Sequence, residues 1–236
     1  MNKTQPAVPQ SSILFRLVAF FSRKQLWYLI QKEGKSRLLI PLFVFVAGAT
    51  ALAIISILAY ITELPLLFPQ LGPSAFILFY TPMSDTASPR NVILSHLLSV
   101  IVGLLFLWLF ATLYPASNLF DSTMMNGQRI LVIALTMGVS CIAMVLLKCV
   151  HPPAAASALI AAMGYLENVE QVMGIVAAVI LIVLAAIIFN RLIGGLPYPL
   201  WRADAKIARN FGQMAGITEG ETTFWRQLAT RTFQRR

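Results

Sequence analysis

His151-Pro152-Pro153 joins an ionisable ring to two consecutive prolines inside a long apolar stretch of this 236-residue chain. Proline removes a backbone donor and clashes with the preceding helical turn, and a histidine at membrane depth needs a polar partner. Irregular backbone persists at that depth only where it is buried in protein or lines a watery cavity. The tripeptide therefore marks either a break in a helix bundle where a solute binds or passes, or a tight structural corner.

Two short apolar runs each follow a proline, namely 74–80 after Pro73 and 154–162 after Pro153. Proline is favoured in the first turn of a helix, and helix N-termini carry unpaired N–H groups and a partial positive charge. One interpretation is an anion path in which the backbone N–H groups of Ser74 and Ala154 hold the solute. The other is close packing of two short helices through the small residues at both starts.

Arg90 and Asn91 stand directly before another long apolar stretch, and Lys148 stands three residues before His151. In one interpretation Arg90 and Lys148 are fixed positive charges that gather an oxyanion, while Asn91 donates hydrogen bonds to it. In the other, both cations extend to lipid headgroups, Lys148 complements a helix C-terminus and Asn91 caps the following helix. The sequence leaves both interpretations open.

His96 and His151 both fall on apolar segments. Because histidine changes charge near neutral pH, the pair leaves open a proton-linked step in which the rings polarise or protonate a solute. The alternative is structural: the ring of His151 stays neutral and holds the corner by a hydrogen bond to a backbone carbonyl.

Composition places the chain among integral membrane proteins, since 58% of its residues are hydrophobic and 11% are charged, against about a quarter charged in soluble domains. Lys and Arg concentrate in 1–37 and 191–236, so the positive-inside rule predicts that both termini are cytoplasmic. This basic charge flanks apolar spans, which favours anionic lipid over nucleic acid as its partner. We expect the inner membrane of a bacterium.

Four stretches are long enough to cross a hydrocarbon layer of about 30 Å, and they run over 38–61, 92–113, 130–147 and 172–189. The order long, short, long occurs twice, with Pro73 and Pro153 80 residues apart. Interrupted segments at matching places in two halves indicate a transport site. If both short runs re-enter, the chain crosses four times; if both cross, it crosses six times as two inverted triplets. The shortness of the runs favours re-entry and four crossings.

The predicted fold class is thus an all-α polytopic membrane bundle of four transmembrane helices and two short half-helices in a weak internal repeat. The predicted regions are a cytoplasmic segment 1–36 with an interfacial amphipathic helix within 11–32, a transmembrane domain 37–200 and a basic cytoplasmic tail 201–236. Neither an acidic pair inside the spans nor a nucleophile motif points to an enzyme. We expect no metal, cofactor or disulfide from Cys141 and Cys149.

The chain resembles the HPP family of integral membrane proteins over about residues 35–202. The resemblance is carried by Gly72-Pro73-Ser74-Ala75, Ser88-Pro89-Arg90-Asn91-Val92, His96, Gly103, Lys148, His151-Pro152-Pro153-Ala154-Ala155, Asn190, Tyr198-Pro199 and Trp201. It implies four transmembrane helices and a transport role, with nitrite as the solute associated with plastid and cyanobacterial members.

We therefore expect a transporter or channel for a small inorganic anion, with nitrite or nitrate as the first candidate. The alternative is a non-transporting membrane scaffold or regulatory subunit that docks a partner through its basic termini. A homo-oligomer is expected, because so few crossings leave little protein around a path. The residues expected to bind the anion are Pro73, Ser74, Arg90, Asn91, His96, Lys148, His151, Pro152, Pro153 and Ala154.

Overall fold

The computed structural model describes residues 20, 22, 24–33 and 36–203. Seven α-helices occur in this part of the chain: α1 (Leu26–Glu33), α2 (Ser36–Thr62), α3 (Leu71–Tyr80), α4 (Pro89–Leu113), α5 (Gly127–Leu146), α6 (Ala154–Ala162) and α7 (Val169–Ile188). Half of the predicted amphipathic segment 11–32 and most of the tail 201–236 lie outside the described residues, as do the chain termini.

Four helices, α2, α4, α5 and α7, are long and apolar enough to span a membrane among the described residues, as predicted. Pro89 begins α4 at a position where its missing N–H costs no helical bond. Asn126 and Asn168 cap α5 and α7 by accepting bonds from the N–H groups of Arg129 and Gln171. The structure confirms the predicted all-α class of four long helices and two short ones.

One end of the bundle is defined by the segment 190–201, which follows α7, and we call it the terminal end. Nδ2 of Asn190 donates to the Leu78 carbonyl at 3.0 Å, near the end of α3. The Tyr198 hydroxyl donates to the Ala87 carbonyl at 2.6 Å, just before α4. The end of α3 and the start of α4 therefore lie at the terminal end.

The opposite end holds the beginning of the segment that leads into α3 and the end of α6. Pro65 lies so close to Gly174, near the start of α7, that a Cβ on this glycine would collide with the proline carbonyl. Nη1 of Arg129, at the start of α5, donates to the Ala162 carbonyl at 2.9 Å. The segment that contains α3 thus starts at the opposite end, and α6 finishes there.

Both short segments connect the two ends of the bundle, so the prediction that they re-enter is wrong. Counting helical residues alone underestimated their reach: α3 and α6 rise only about 15 Å and 13 Å, but each continues an irregular stretch, 63–70 or 147–153. These stretches, although partly folded into turns, add to the distance that each short helix covers. The long-short-long triplets α2–α3–α4 and α5–α6–α7 therefore run in opposite directions through the bundle, as the six-crossing alternative requires.

Close packing fixes α6 beside α4. A Cβ on Gly103 of α4 would lie 2.6 Å from the Ala161 Cβ and 2.7 Å from the Ala158 carbonyl oxygen. Only glycine permits this approach, and α6 contributes an alanine-rich face to it. The two helices run parallel, since His96 and Gly103 of α4 contact Ser157 and Ala161 of α6 in the same order. This pairing brings a polar residue of α6 against the histidine of α4.

Candidate functional site

A chain of hydrogen bonds joins four side chains from three segments at the bundle interior. Oγ of Ser157 lies 2.7 Å from Nδ1 of His96, and Nε2 of this ring lies 3.3 Å from Oγ of Ser74. The same Ser74 oxygen is 3.0 Å from Nε2 of His151, whose Nδ1 is 2.8 Å from the Thr86 carbonyl oxygen. We call this set, from Ser157 to the Thr86 carbonyl, the His–Ser chain.

The direction of these bonds follows from the Thr86 carbonyl, which can only accept. Nδ1 of His151 therefore carries the hydrogen, and in a neutral ring Nε2 then accepts from the hydroxyl of Ser74. The Ser74 hydroxyl has only one hydrogen, which it donates to His151. Its oxygen therefore accepts from Nε2–H of His96. Nδ1 of a neutral His96 in turn accepts from Ser157. All four bonds thus run from Ser157 towards Thr86, and every ring nitrogen has a partner.

Burial isolates the His–Ser chain from solvent and lipid. Ser74, His151 and Ser157 are 0% exposed, and His96 is 2% exposed. The two imidazole ring centroids lie 5.3 Å apart. Helix α4 positions His96 on a polar stripe at helical spacing, formed by Ser88, Asn91, Ser95 and Ser99, all buried. Buried polar groups of this kind are costly unless paired, and in the His–Ser chain they pair with one another.

The prolines shape the starts of the two short helices. Helix α6 begins at Ala154 as predicted, with Pro153 buried and Pro152 exposed at the corner. Helix α3 begins at Leu71, three residues earlier than predicted, which leaves Pro73 exposed within its first turn. The corner therefore holds His151 against Ser74, whereas Pro73 faces away from the site.

The predicted anion contact with backbone N–H groups does not occur in this structure. The N–H of Ser74 donates to the Gln70 carbonyl at 3.2 Å, and that of Ala154 to the His151 carbonyl at 3.0 Å. Both short helices begin with tight turns that use these donors internally, so neither is free to hold an anion. The groups available to a solute at this place are side chains.

Arg90 and Asn91 form a second group at the terminal end. Nη1 and Nη2 of Arg90 donate to the Lys148 and Leu147 carbonyls at 2.7 Å and 3.2 Å, so the guanidinium caps the C-terminus of α5. Asn91 does not cap α4; its Nδ2 donates to the backbone carbonyl and the carboxylate of Asp85, both at 3.0 Å. Nε–H of the arginine has no partner among the described residues.

Lys148 ends α5 in a left-handed conformation, with φ of 51°. Its N–H donates to the Val145 carbonyl, and the N–H of Cys149 reaches back to Met144, the bond pattern of a Schellman motif. Glycine usually fills this position, because a side chain is strained there. The exposed lysine therefore keeps a positive charge beside Arg90 at a conformational cost.

Of the ten residues predicted to bind the anion, the structure brings Ser74, His96 and His151 into the His–Ser chain and places Arg90, Asn91 and Lys148 at the terminal end. Their role in binding an anion stays a prediction. Sequence reasoning missed the contacts of Ser157 and Thr86. Ser157 is a single hydroxyl on the buried alanine face of α6, which is a detectable signal. Thr86 acts through its backbone carbonyl, for which no side-chain signal exists.

His96 also lines a cavity of about 10 Å³ between α4 and α7, together with Ile93, Val100 and Val179. Its walls are apolar, and both nitrogens of His96 bond to Ser157 and Ser74, so the cavity offers a water molecule no polar partners.

Fold and site together define a polytopic helical membrane protein with two inverted triplets and a buried histidine–serine chain. The chain belongs to the HPP family, since the family described as the HPP transmembrane region matches residues 34–199. A transmembrane protein of Dictyostelium discoideum is 28% identical over 169 residues, which make up 66% of this chain and 54% of that protein. The chain thus spans about half the length of this relative. No solved structure matches it.

Proposed function

We propose that the protein moves a small inorganic anion across the membrane, with nitrite or nitrate as the first candidate. The observation that carries this proposal is the His–Ser chain, which places imidazole N–H and hydroxyl donors where the two short segments meet. Such donors bind an oxyanion once the chain opens, because each of its bonds can be exchanged for a bond to the solute.

The inverted triplets support transport. In many transporters, solute sites lie at the interface of two inverted repeats and are built from helices that are interrupted within the membrane. Here the interruptions are 63–70 and 147–153. His151 lies within the second, and Ser74 lies four residues after the first. The inverted triplets support transport by analogy with the architecture of other transporters, whereas the choice of solute rests on the side chains.

The charge around the site favours an anion over a cation. The only carboxylate within the four long helices is Glu170, at the exposed start of α7 and remote from the His–Ser chain. At the terminal end, the positive charges of Arg90 and Lys148 outnumber the carboxylate of Asp85, which bonds to Asn91. Nε–H of Arg90 has no partner in the described part of the chain. A cation path needs acidic side chains or convergent carbonyls, whereas donors and basic groups attract an oxyanion.

The orientation of the protein in the membrane is inferred from the charge pattern of the sequence. We propose that the terminal end faces the cytoplasm of a bacterial cell, because basic residues flank the first and last spans. In this orientation Arg90 and Lys148 lie at the cytoplasmic mouth, and Arg129 lies at the outer end.

Uptake of nitrite and of nitrate by proteoliposomes tests the function, with and without an imposed pH gradient. We expect uptake by the wild-type protein, its loss in His151→Ala, and a reduced rate in Arg90→Ala. Ser56→Ala is the matched control, because this hydroxyl bonds only to the Leu52 carbonyl of its own helix. Each variant must elute as a folded species in detergent before reconstitution.

Two results would overturn the proposal. Uptake that persists unchanged in both His151→Ala and Arg90→Ala would remove the site from the path. Absence of uptake for both anions and for a broader panel of solutes, in folded protein, would favour the membrane scaffold. Deletion of 204–236, a segment outside the described residues, would then abolish capture of the docked partner.

A further inference from the structure

Every side chain in the His–Ser chain can both donate and accept a hydrogen bond. Such groups can reverse the direction of their hydrogen bonds, which arginine, a donor only, cannot do. Ser74 stands at its centre, within 3.3 Å and 3.0 Å of one nitrogen from each ring. A hydroxyl between two imidazoles can accept a proton from one ring while it gives its own to the other.

We propose that Ser157, His96, Ser74 and His151 form a proton relay that passes a proton from His96 to His151. The inference deepens the proposed function, on which it rests, by making anion movement proton-coupled. It assigns Ser74 as the exchange point between the two rings.

The transfer is balanced in atoms and charge. A hydronium ion that displaces the Ser157 hydroxyl from Nδ1 of His96 delivers a proton to this nitrogen and leaves as water. The Nε2–H bond of this ring then breaks as a new O–H bond forms on Ser74, and the original O–H bond breaks as a new N–H bond forms at Nε2 of His151. Nδ1 of His151 releases its proton to water at the terminal end. One proton enters, one leaves, and no bond between heavy atoms changes.

The Thr86 carbonyl sets the resting direction of the relay. After one transfer, Nδ1 of His151 has no hydrogen and faces a carbonyl oxygen at the 2.8 Å that separates them in the structure. Two acceptors at this distance repel, so each ring returns to its original tautomer by losing a proton to water at one nitrogen and gaining one from water at the other. This exchange is independent of the chain and moves no net charge. The relay therefore starts each cycle from one tautomer in each ring.

The charged and titratable groups around the relay lie near its terminal end. They are Asp85 before α4, Arg90 at the start of α4, Lys148 and Cys149 between α5 and α6, and Tyr198 after α7. Burial raises the pKa of the Tyr198 hydroxyl, so it stays protonated near neutral pH. Helix α3 adds only Tyr80 at its exposed end, α6 adds none, and α5 and α7 carry Arg129 and Glu170 at the opposite end. The two rings are thus the titratable groups inside the relay.

Proteoliposomes that contain a pH-sensitive dye test the relay under an inward nitrite gradient, at equal starting pH and with the membrane potential clamped by valinomycin and potassium. We expect internal acidification in step with nitrite uptake, beyond that of protein-free vesicles. Ser74→Ala lowers the ratio of protons to nitrite taken up, Ser74→Thr restores it, and Ser56→Ala leaves it unchanged.

The outcomes separate the relay from the anion function. Nitrite uptake without protein-dependent acidification overturns the relay and leaves the proposed function standing. A full proton ratio in Ser74→Ala also overturns the relay. Absence of nitrite and nitrate uptake overturns the proposed function, and with it the coupling.

A second measurement does not depend on folded variants. Nitrogen NMR of labelled imidazoles in lipid should show hydrogen on Nε2 of His96 and on Nδ1 of His151 in the wild-type protein. Mixed or reversed tautomers would contradict the fixed direction.

Discussion

Two buried polar centres sit at opposite ends of the same apolar bundle, and they use different chemistry. At the opposite end, Arg129 is 1% exposed and donates to the carbonyls of Met124, Ala162, Leu119 and Asp121, at 3.3, 2.9, 2.6 and 2.9 Å. We call this set the Arg129 clamp. Towards the terminal end, the His–Ser chain is equally buried but contains groups that both donate and accept.

The difference separates a structural centre from one suited to transfer. A guanidinium cannot lose its proton in a protein, so the Arg129 clamp has one state, in which it ties the 115–126 loop to the end of α6. Imidazoles and hydroxyls can reverse their bonds without losing a partner, so the His–Ser chain has more than one satisfied state. Burial alone would not tell these centres apart, but the donor and acceptor capacity of their members does.

Breaking the Arg129 clamp should have the largest effect on stability. Arg129→Met keeps an unbranched apolar stem but leaves four carbonyls without a donor, and loss of one partner from a buried charged network costs about 3–5 kcal/mol. Reversible unfolding in mixed detergent micelles measures this change in the free energy of unfolding. The control is Arg37→Met, which removes an exposed cation at the start of α2. A loss below about 1 kcal/mol for Arg129→Met would refute the structural role of the clamp.

The two centres are flanked by the ends of α5 and α6, which form the same motif with different residues. Gly164 follows α6 with φ of 78°, and a Cβ there would lie 3.1 Å from the Leu119 carbonyl oxygen. Lys148 occupies the matching place after α5. Gly164→Ala should therefore destabilise the protein by about 1–3 kcal/mol, while Lys148→Gly should stabilise it by about 0.5–1 kcal/mol.

At Lys148, the rate of nitrite uptake should fall while the stability of the fold rises. Under the proposed function, Lys148→Gly slows nitrite uptake although it stabilises the fold, because it removes a charge from the terminal end. The same unfolding assay and the proteoliposome assay measure both effects on one preparation. A variant that is more stable and equally fast would show that the charge of Lys148 plays no part in attracting the anion.

The sequence predicts the long helices well, because their apolar runs are continuous and proline or asparagine marks several of their starts. It also identifies His151, His96 and Ser74, since ionisable and hydroxyl groups in apolar runs need partners. It does not predict the path of α3 and α6. Their helical residues alone are too few to connect the two ends of the bundle, and the irregular stretches 63–70 and 147–153 cover the remaining distance. It also fails on Thr86, because a backbone carbonyl leaves no trace in the sequence.

The smallest change in the free energy of unfolding is expected for buried hydroxyls that lie outside the His–Ser chain and have no hydrogen-bond partner. Oγ of Ser99 is buried and has no hydrogen-bond partner among the described residues, whereas Oγ of Ser157 bonds to His96. Replacing an unpaired buried hydroxyl removes a desolvation penalty, so Ser99→Ala should change the free energy of unfolding by at most about 1 kcal/mol, in the stabilising direction.

Ser157→Ala is the matched variant, because it removes an equally buried hydroxyl and leaves Nδ1 of His96 without a donor. Its cost should be about 1–3 kcal/mol, as for other buried groups that lose their partner. Both variants remove a serine hydroxyl from a buried helical position. The difference between their free energies of unfolding therefore measures the hydrogen bond to the His96 ring. If Ser99→Ala were as destabilising as Ser157→Ala, the hydroxyl of Ser99 would have a partner of its own. The polar stripe of α4 would then extend the proton path beyond His96, towards the opposite end.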